Sequence, residues 1–220
     1  AFIIMFNRLT WPKAMADLLT ATGCEVILID NKSTYMPLLE WYQTCPYQVI
    51  RCKENYGHQV LWTAGLIDTF EDRYYIVTDP DLDISAIPHD YVNVLKKALD
   101  DAPPDICKAG FSLSLSDLPH NDYAHDVIEW EQKFWKTPID ANGFYKSDVD
   151  TTFALYDRKR QNWGTLPNTP FFWALRAPRP YTARHLPWYL TKQAVEENPE
   201  EKYYLEHTGT YWAQKFKELL

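Results

Sequence analysis

Glycine is scarce in this chain. Seven occur in 220 residues, and no Gly-x-Gly-x-x-Gly follows the first strand-like run, which argues against a dinucleotide dehydrogenase, whose pyrophosphate turn needs those glycines. The Gly-rich N-terminal loop of sugar nucleotidyltransferases is missing too. Basic charge is also short: 22 Lys and Arg against 30 Asp and Glu leave a net charge of −8, and the only dense basic run is the brief "DRKRQ" at 157–161. Nucleic-acid surfaces need clustered cations to displace phosphate counterions, so no nucleic-acid partner is expected. The four cysteines, Cys24, Cys45, Cys52 and Cys107, form no CxxC pair and carry no accompanying His spacing, which excludes a zinc knuckle and a redox motif and favours a reducing compartment. No apolar run reaches the roughly 18 residues of a membrane span, and "FIIMF" at 2–6 is too short for a signal-peptide core. A cytoplasmic chain with no membrane span is the expectation.

Apolar and aromatic residues are plentiful. Hydrophobic residues make up 46% of the chain and aromatics 15%, enough for a buried core without staples in one domain, residues 1–220. Strand-like runs occur at 2–6, 26–30, 47–50 and 74–77. Helix-like segments lie between and after them, at 58–70 (Val60, Leu61, Ala64, Ile67 and Phe70 on one face) and at 89–99 behind Pro88. This rhythm predicts βαβ units in an α/β fold, with a mainly parallel sheet covered on both faces. The second half differs. "GFSLSLS" (110–116) alternates as a strand with one wet face, and "TTFALY" (151–156) is a further strand. A Pro- and aromatic-rich stretch leads to a final helix near 209–219, and "VEENPEEK" (195–202) reads as a solvated acidic turn.

The stretch "RYYIVTDPDLDIS" (73–85) poses the functional question. A strand runs into Asp79, Asp81 and Asp83 at every second position. Ionised carboxylates so placed raise one another's pKa unless a cation sits among them. Open α/β sheets bind ligands beyond the carboxyl ends of their strands, and Asp30 ends the second strand in the same way. Four readings compete. One is a solvated turn. An EF-hand loop would use Asp79, Asp81, Asp83 and Asp90, but it needs glycine at Ile84 and a helix where a strand precedes. A haloacid-dehalogenase-type phosphatase would use Asp79 as nucleophile, but its motif sits on the first strand, and three precede this one. The DxD motif of a metal-dependent glycosyltransferase falls at a strand end in mid-domain, as here.

Taken in order, "FNRLTW" (6–11), "LIDNKST" (28–34), "NYGH" (55–58) and "VTDPDLD" (77–83) resemble the motifs of GT-A-fold glycosyltransferases of the family 2-like group. The likeness runs from about residue 2 to 190. It departs from the family pattern at Asn31 and Lys32, where a second acidic pair is usual, and at Pro80 and the extra Asp83. The resemblance implies a Rossmann-like nucleotide-sugar-binding half over about 1–105 and a mixed acceptor-binding half over about 106–220. It implies transfer of a sugar, hexosyltransferase-like, from a nucleotide diphosphate sugar donor to a carbohydrate or other hydroxyl acceptor. Asn7, Arg8, Asp30, Asn55, Gly57, His58 and Asp79 would line the donor site. Asp79, Asp81 and Asp83 would hold metal, joined by His185 of "RHLPWY" (184–189). Mn²⁺ or Mg²⁺ suits such hard oxygen ligands and bridges carboxylates to phosphates.

An inverting transfer also needs a carboxylate to take the acceptor proton. Asp150, in a stretch resembling the family's later acidic motif, is the first choice, with Asp148 and Glu131 behind it. Trp130 and Trp135 flank Glu131 and would serve either as sugar platforms or as core. Two rival functions stand beside transfer: the Asp79 phosphatase, and a non-catalytic nucleotide- or carbohydrate-binding module on the same fold.

Overall fold

The computed structural model describes residues 1–120, 122–160 and 173–218. Four parallel strands open the chain: β1 (Phe2–Met5), β2 (Ile27–Asp30), β3 (Gln48–Arg51) and β4 (Tyr74–Thr78), with β1 between β2 and β4. β1 and β2 are buried along their whole length, as befits strands covered on both faces. Alternate residues feed two cores. Ile3 and Met5 pack with Met15, Ala16 and Leu19 of helix α1 (Thr10–Ala21), while Phe2 and Ile4 pack with Val60, Leu61 and Trp62 on the other face.

Helix α2 (Met36–Trp41) links β2 to β3, and α3 (Val60–Thr63) lies between β3 and β4. The helix expected over 58–70 is two pieces: α3 stops before Gly65, which takes φ +68°, and a 3-10 turn at Leu66–Thr69 follows. A left-handed residue cannot continue an α-helix; of the expected stripe, Val60, Leu61 and Ile67 are buried and Ala64 and Phe70 partly so.

After β4 come β5 (Leu82–Asp83), α4 (Tyr91–Asp101), β6 (Lys108–Gly110), β7 (Ser112–Leu113), α5 (Asp122–Glu131), β8 (Tyr145–Asp148), β9 (Phe153–Asp157), β10 (Trp173–Arg176) and β11 (Thr182–His185). Among the described residues the large sheet has eight strands in the order β3-β2-β1-β4-β9-β6-β10-β8, and a small one has the order β5-β11-β7. Six strands of the large sheet point one way; β9 and β8 are antiparallel to their neighbours. The fold is therefore α/β with a large, mostly parallel central sheet. The strand expected over 110–116 divides at Gly110, whose missing Cβ lets β6 press against the Phe153 carbonyl; β6 stays in the large sheet and β7 joins the small one.

Three helices close the chain: α6 (Lys192–Glu197), α7 (Pro199–His207) and α8 (Tyr211–Lys217). The stretch 195–202 is not a solvated turn. Asn198 caps α7 by accepting from the Glu200 and Glu201 N–H groups, and both glutamates are buried. All four cysteines are free, and among the described residues no helix is long and apolar enough to cross a membrane. Of the expected final helix, residue 219 lies outside the described residues.

Candidate functional site

The chain leaves β1 toward β2 on one side, while β4 lies on the other. Ligands bind at such a switch point because the flanking loops diverge and open a crevice. The loop after β1 carries Arg8, and the loop after β4 carries Asp79 to Asp81. Arg8 is 1% exposed. It donates from Nη1 to Asp81 Oδ2 at 2.7 Å, and from Nε and Nη2 to the two oxygens of Glu201 at 3.1 and 2.8 Å. Its guanidinium lies 3.4 Å from the ring centre of Tyr204 and 4.5 Å from that of Trp11.

His185 reaches the same place through the small sheet. It pairs with Leu82 in the β11–β5 ladder, and the next residue, Leu186, donates its N–H to the Asp81 carbonyl at 2.9 Å. The ladder sets His185 Nε2 3.6 Å from Asp81 Oδ1. Asp81 Oδ1 and His185 Nδ1 are both buried and find no hydrogen-bond partner among the described residues. A buried orphan acceptor costs about 1–3 kcal/mol unless something fills its lone pairs. Burial lowers the pKa of His185, Asp81 raises it and Arg8 lowers it, for a net shift below the ordinary 6.5. That direction favours the neutral imidazole, the form that binds metal.

Asp79 accepts from Thr151 Oγ1 at 2.8 Å. Burial, then the charges of Asp81 and Asp150, hold its carboxyl well above the ordinary 3.8. Asp83 accepts from the Ser85 N–H at 2.9 Å, closing a turn, and does not line the cavity. Among the described residues the one group of three metal-capable side chains with converging ligand atoms is His125, Asp126 and Glu129 on α5, so Asp79, Asp81, Asp83 and His185 form no closed cage. Asp81 and His185 offer one carboxylate oxygen and one imidazole nitrogen, a set that suits Mn²⁺ better than the oxygen-preferring Mg²⁺, with phosphates and water left to complete the shell.

A cavity of about 810 Å³ opens in front of this pair, within the range of small-molecule sites. Arg8, Asp79, Asp81 and His185 line it, as do Asn55, Gly57 and His58 from the loop after β3, and Trp130, Glu131, Asp148 and Asp150 from the second half. His58 Nε2 lies 3.6 Å from Asp150 Oδ1, each side chain about half exposed. Glu131 is buried, and its Oε1 accepts from Arg176 Nη1 at 2.6 Å; burial raises its pKa and Arg176 pulls it back. Lys108 donates to the Asp150 carbonyl at 3.5 Å, and burial lowers its pKa to about 8. Trp130 faces the cavity half exposed, with Lys133 Nζ 3.1 Å from its ring centre.

Three further sequence candidates sit elsewhere. Asn7 has φ +51° and accepts from the Thr34 and Tyr35 N–H groups at 2.7 and 3.0 Å. Asp30 accepts from the Ser33 N–H at 3.0 Å and from Arg51 Nε at 3.2 Å. Both shape the 33–35 turn and neither lines the cavity; Trp135 packs edge-on to Tyr145 instead. Asn31 lines it and clamps the next loop, donating to the Gly57 carbonyl and accepting from the Tyr56 N–H. The sequence reading noted Asn31 only as a departure, and it missed Thr151, Arg176 and Glu201. Asn-Pro-Glu-Glu at 198–201 carries the cap signature of a helix start, which marks α7 but not the burial of Glu201.

The sequence matches no family model and none of the curated proteins. Among solved structures it is similar to the crystal structure of GalNAc-T7 with UDP, GalNAc and Mn²⁺, with a TM-score of 0.51 at 12% identity. That match covers 99% of this chain and 47% of the other, so the chain spans about half the length of that glycosyltransferase. The likeness is one of fold: the α/β sheet is similar to that of GT-A glycosyltransferases.

Proposed function

We propose that this chain is a metal-dependent glycosyltransferase domain that moves a sugar from a nucleotide diphosphate sugar to a hydroxyl acceptor. The observation that carries the reading is the Asp81–His185 pair, 3.6 Å apart with an orphaned carboxylate oxygen, at the switch point in front of a cavity of about 810 Å³. The fold it shares with GalNAc-T7, a protein crystallised with UDP and Mn²⁺, supports it. When bound, a divalent cation supplies Lewis-acid stabilisation of the diphosphate leaving group. Asp81 Oδ1 and His185 would hold it, while Arg8 occupies the other oxygen of Asp81. Asn31 orders the Asn55–His58 loop along the donor. Asp150 takes the acceptor proton: it is about half exposed, whereas Glu131 is tied to Arg176.

The phosphatase alternative would use Asp79 as nucleophile, with its Oδ1 already engaged by the Thr151 hydroxyl. A screen of nucleotide diphosphates by thermal shift, with and without Mn²⁺ or Mg²⁺, tests the proposal. Stabilisation should appear only with metal, about 2.7 kcal/mol at a hundredfold excess over Kd. Slow hydrolysis of a UDP-sugar should then separate a transferase from a binding module. Phosphomonoester hydrolysis without nucleotide binding would establish the phosphatase.

A further inference from the structure

We propose that Glu201 is a positioning residue for Asp81, acting through Arg8. This rests on the metal-binding reading of Asp81 and His185. A guanidinium is planar, with its donors in a rigid fork. Two bonds from Nε and Nη2 to the Glu201 carboxylate therefore fix both the plane and the direction of the third donor, Nη1. That donor takes Asp81 Oδ2 and leaves Oδ1 turned toward His185. Tyr204 and Trp11 pack against the guanidinium, and both Arg8 and Glu201 are 1% exposed, so the trio has no room to re-form in another arrangement.

The adjacent Glu200 does different work. Its carboxylate accepts from the Leu9 and Thr10 N–H groups and the Thr10 hydroxyl, pinning the start of α1. One turn of α7 thus holds the β1 loop with one carboxylate and aims its arginine with the next. Glu200 is the internal control: a buried acid on the same turn with no contact to Arg8.

The test measures Mn²⁺ affinity in the presence of UDP, from the paramagnetic resonance signal of free Mn²⁺, alongside the thermal midpoint. The double variant Arg8→Met/Glu201→Met leaves the net charge of the site unchanged while removing both the Glu201 clamp and the donor to Asp81 Oδ2, so it tests the whole relay, with its folding read from the thermal midpoint. Glu201→Gln is the milder change, setting an amide NH₂ against an arginine N–H. Both should bind Mn²⁺ about 10–100-fold more weakly, the range for lost support of a metal ligand. Glu200→Gln should lower the thermal midpoint and leave Mn²⁺ affinity at the wild-type value. Wild-type affinity in the folded double variant, or equal weakening in Glu200→Gln and Glu201→Gln, would overturn the proposal. Wild-type protein that binds no Mn²⁺ with UDP would remove the functional reading itself.

Discussion

The two oxygens of Asp81 have different neighbours, and the chemistry of the site turns on that division. Oδ2 is neutralised by Arg8, and Oδ1 faces His185 Nε2 at 3.6 Å. The lowered pKa of His185 has a consequence for stability. The folded protein resists protonation at this ring, so the unfolded chain takes the proton first, and stability falls as pH drops from about 6.5 through the folded pKa. His185→Gln should show a shallower loss of thermal midpoint between about pH 7 and pH 5; identical slopes would place the acid sensitivity elsewhere. Asp79 shifts the opposite way. Its raised pKa makes its contribution full below the ordinary 3.8 and lost as pH rises through the folded value. Asp79→Asn keeps an acceptor for Thr151 and removes the charge, so it should raise the thermal midpoint at neutral pH, with the gain vanishing below about pH 4. A destabilised Asp79→Asn at pH 7 would contradict this. At Asp150, replacement by Asn should leave donor binding intact and reduce turnover by about 10²–10⁴-fold. Loss on that scale in Glu131→Gln with none in Asp150→Asn would move the base to α5.

Elements were legible where burial wrote a plain pattern. "FIIM", "ILID" and "YYIVT" are nearly continuous apolar runs because both faces of the sheet are covered. β10 and β11 were not, since "WALR" and "TARH" mix an exposed Trp173 with a buried Arg176 whose charge is met by Glu131 from a distant helix. No local pattern announces an inward arginine with a remote partner. The break between β6 and β7 depends equally on a partner strand. A Cβ on Gly110 would lie 2.2 Å from the Phe153 carbonyl oxygen and 3.0 Å from Val149 Cγ1, so Gly110→Ala must push β6 away from β9. The expected cost is at least about 1–3 kcal/mol, read as a fall of roughly 2–4 °C in thermal midpoint per kcal/mol for a chain of this size. An unchanged midpoint would mean that the strand crossing is looser than this contact implies.

At the scale of the molecule, β9 from the second half of the chain enters the sheet between β4 and β6 and brings Thr151 against Asp79. The β5–β11 ladder carries His185 to Asp81 from far along the chain. The sequence motifs pointed to Arg8, Asp79, Asp81 and His185, and all four line the same cavity. Asn7, Asp30 and Asp83 fall outside it because their carboxamide or carboxylate closes a nearby turn, a role that short polar side chains fill wherever a strand ends. The central claim is that a divalent cation at Asp81 and His185 couples this fold to a nucleotide diphosphate. Calorimetric titration of UDP into wild type and Asp81→Asn, each with Mn²⁺ and with a chelator, tests it most directly; Asn is chosen because it keeps an acceptor for Arg8. The account predicts binding to wild type with Mn²⁺ alone, and little or none in the other three titrations. Equal binding in chelator, or full Mn²⁺-dependent binding by Asp81→Asn, would contradict it.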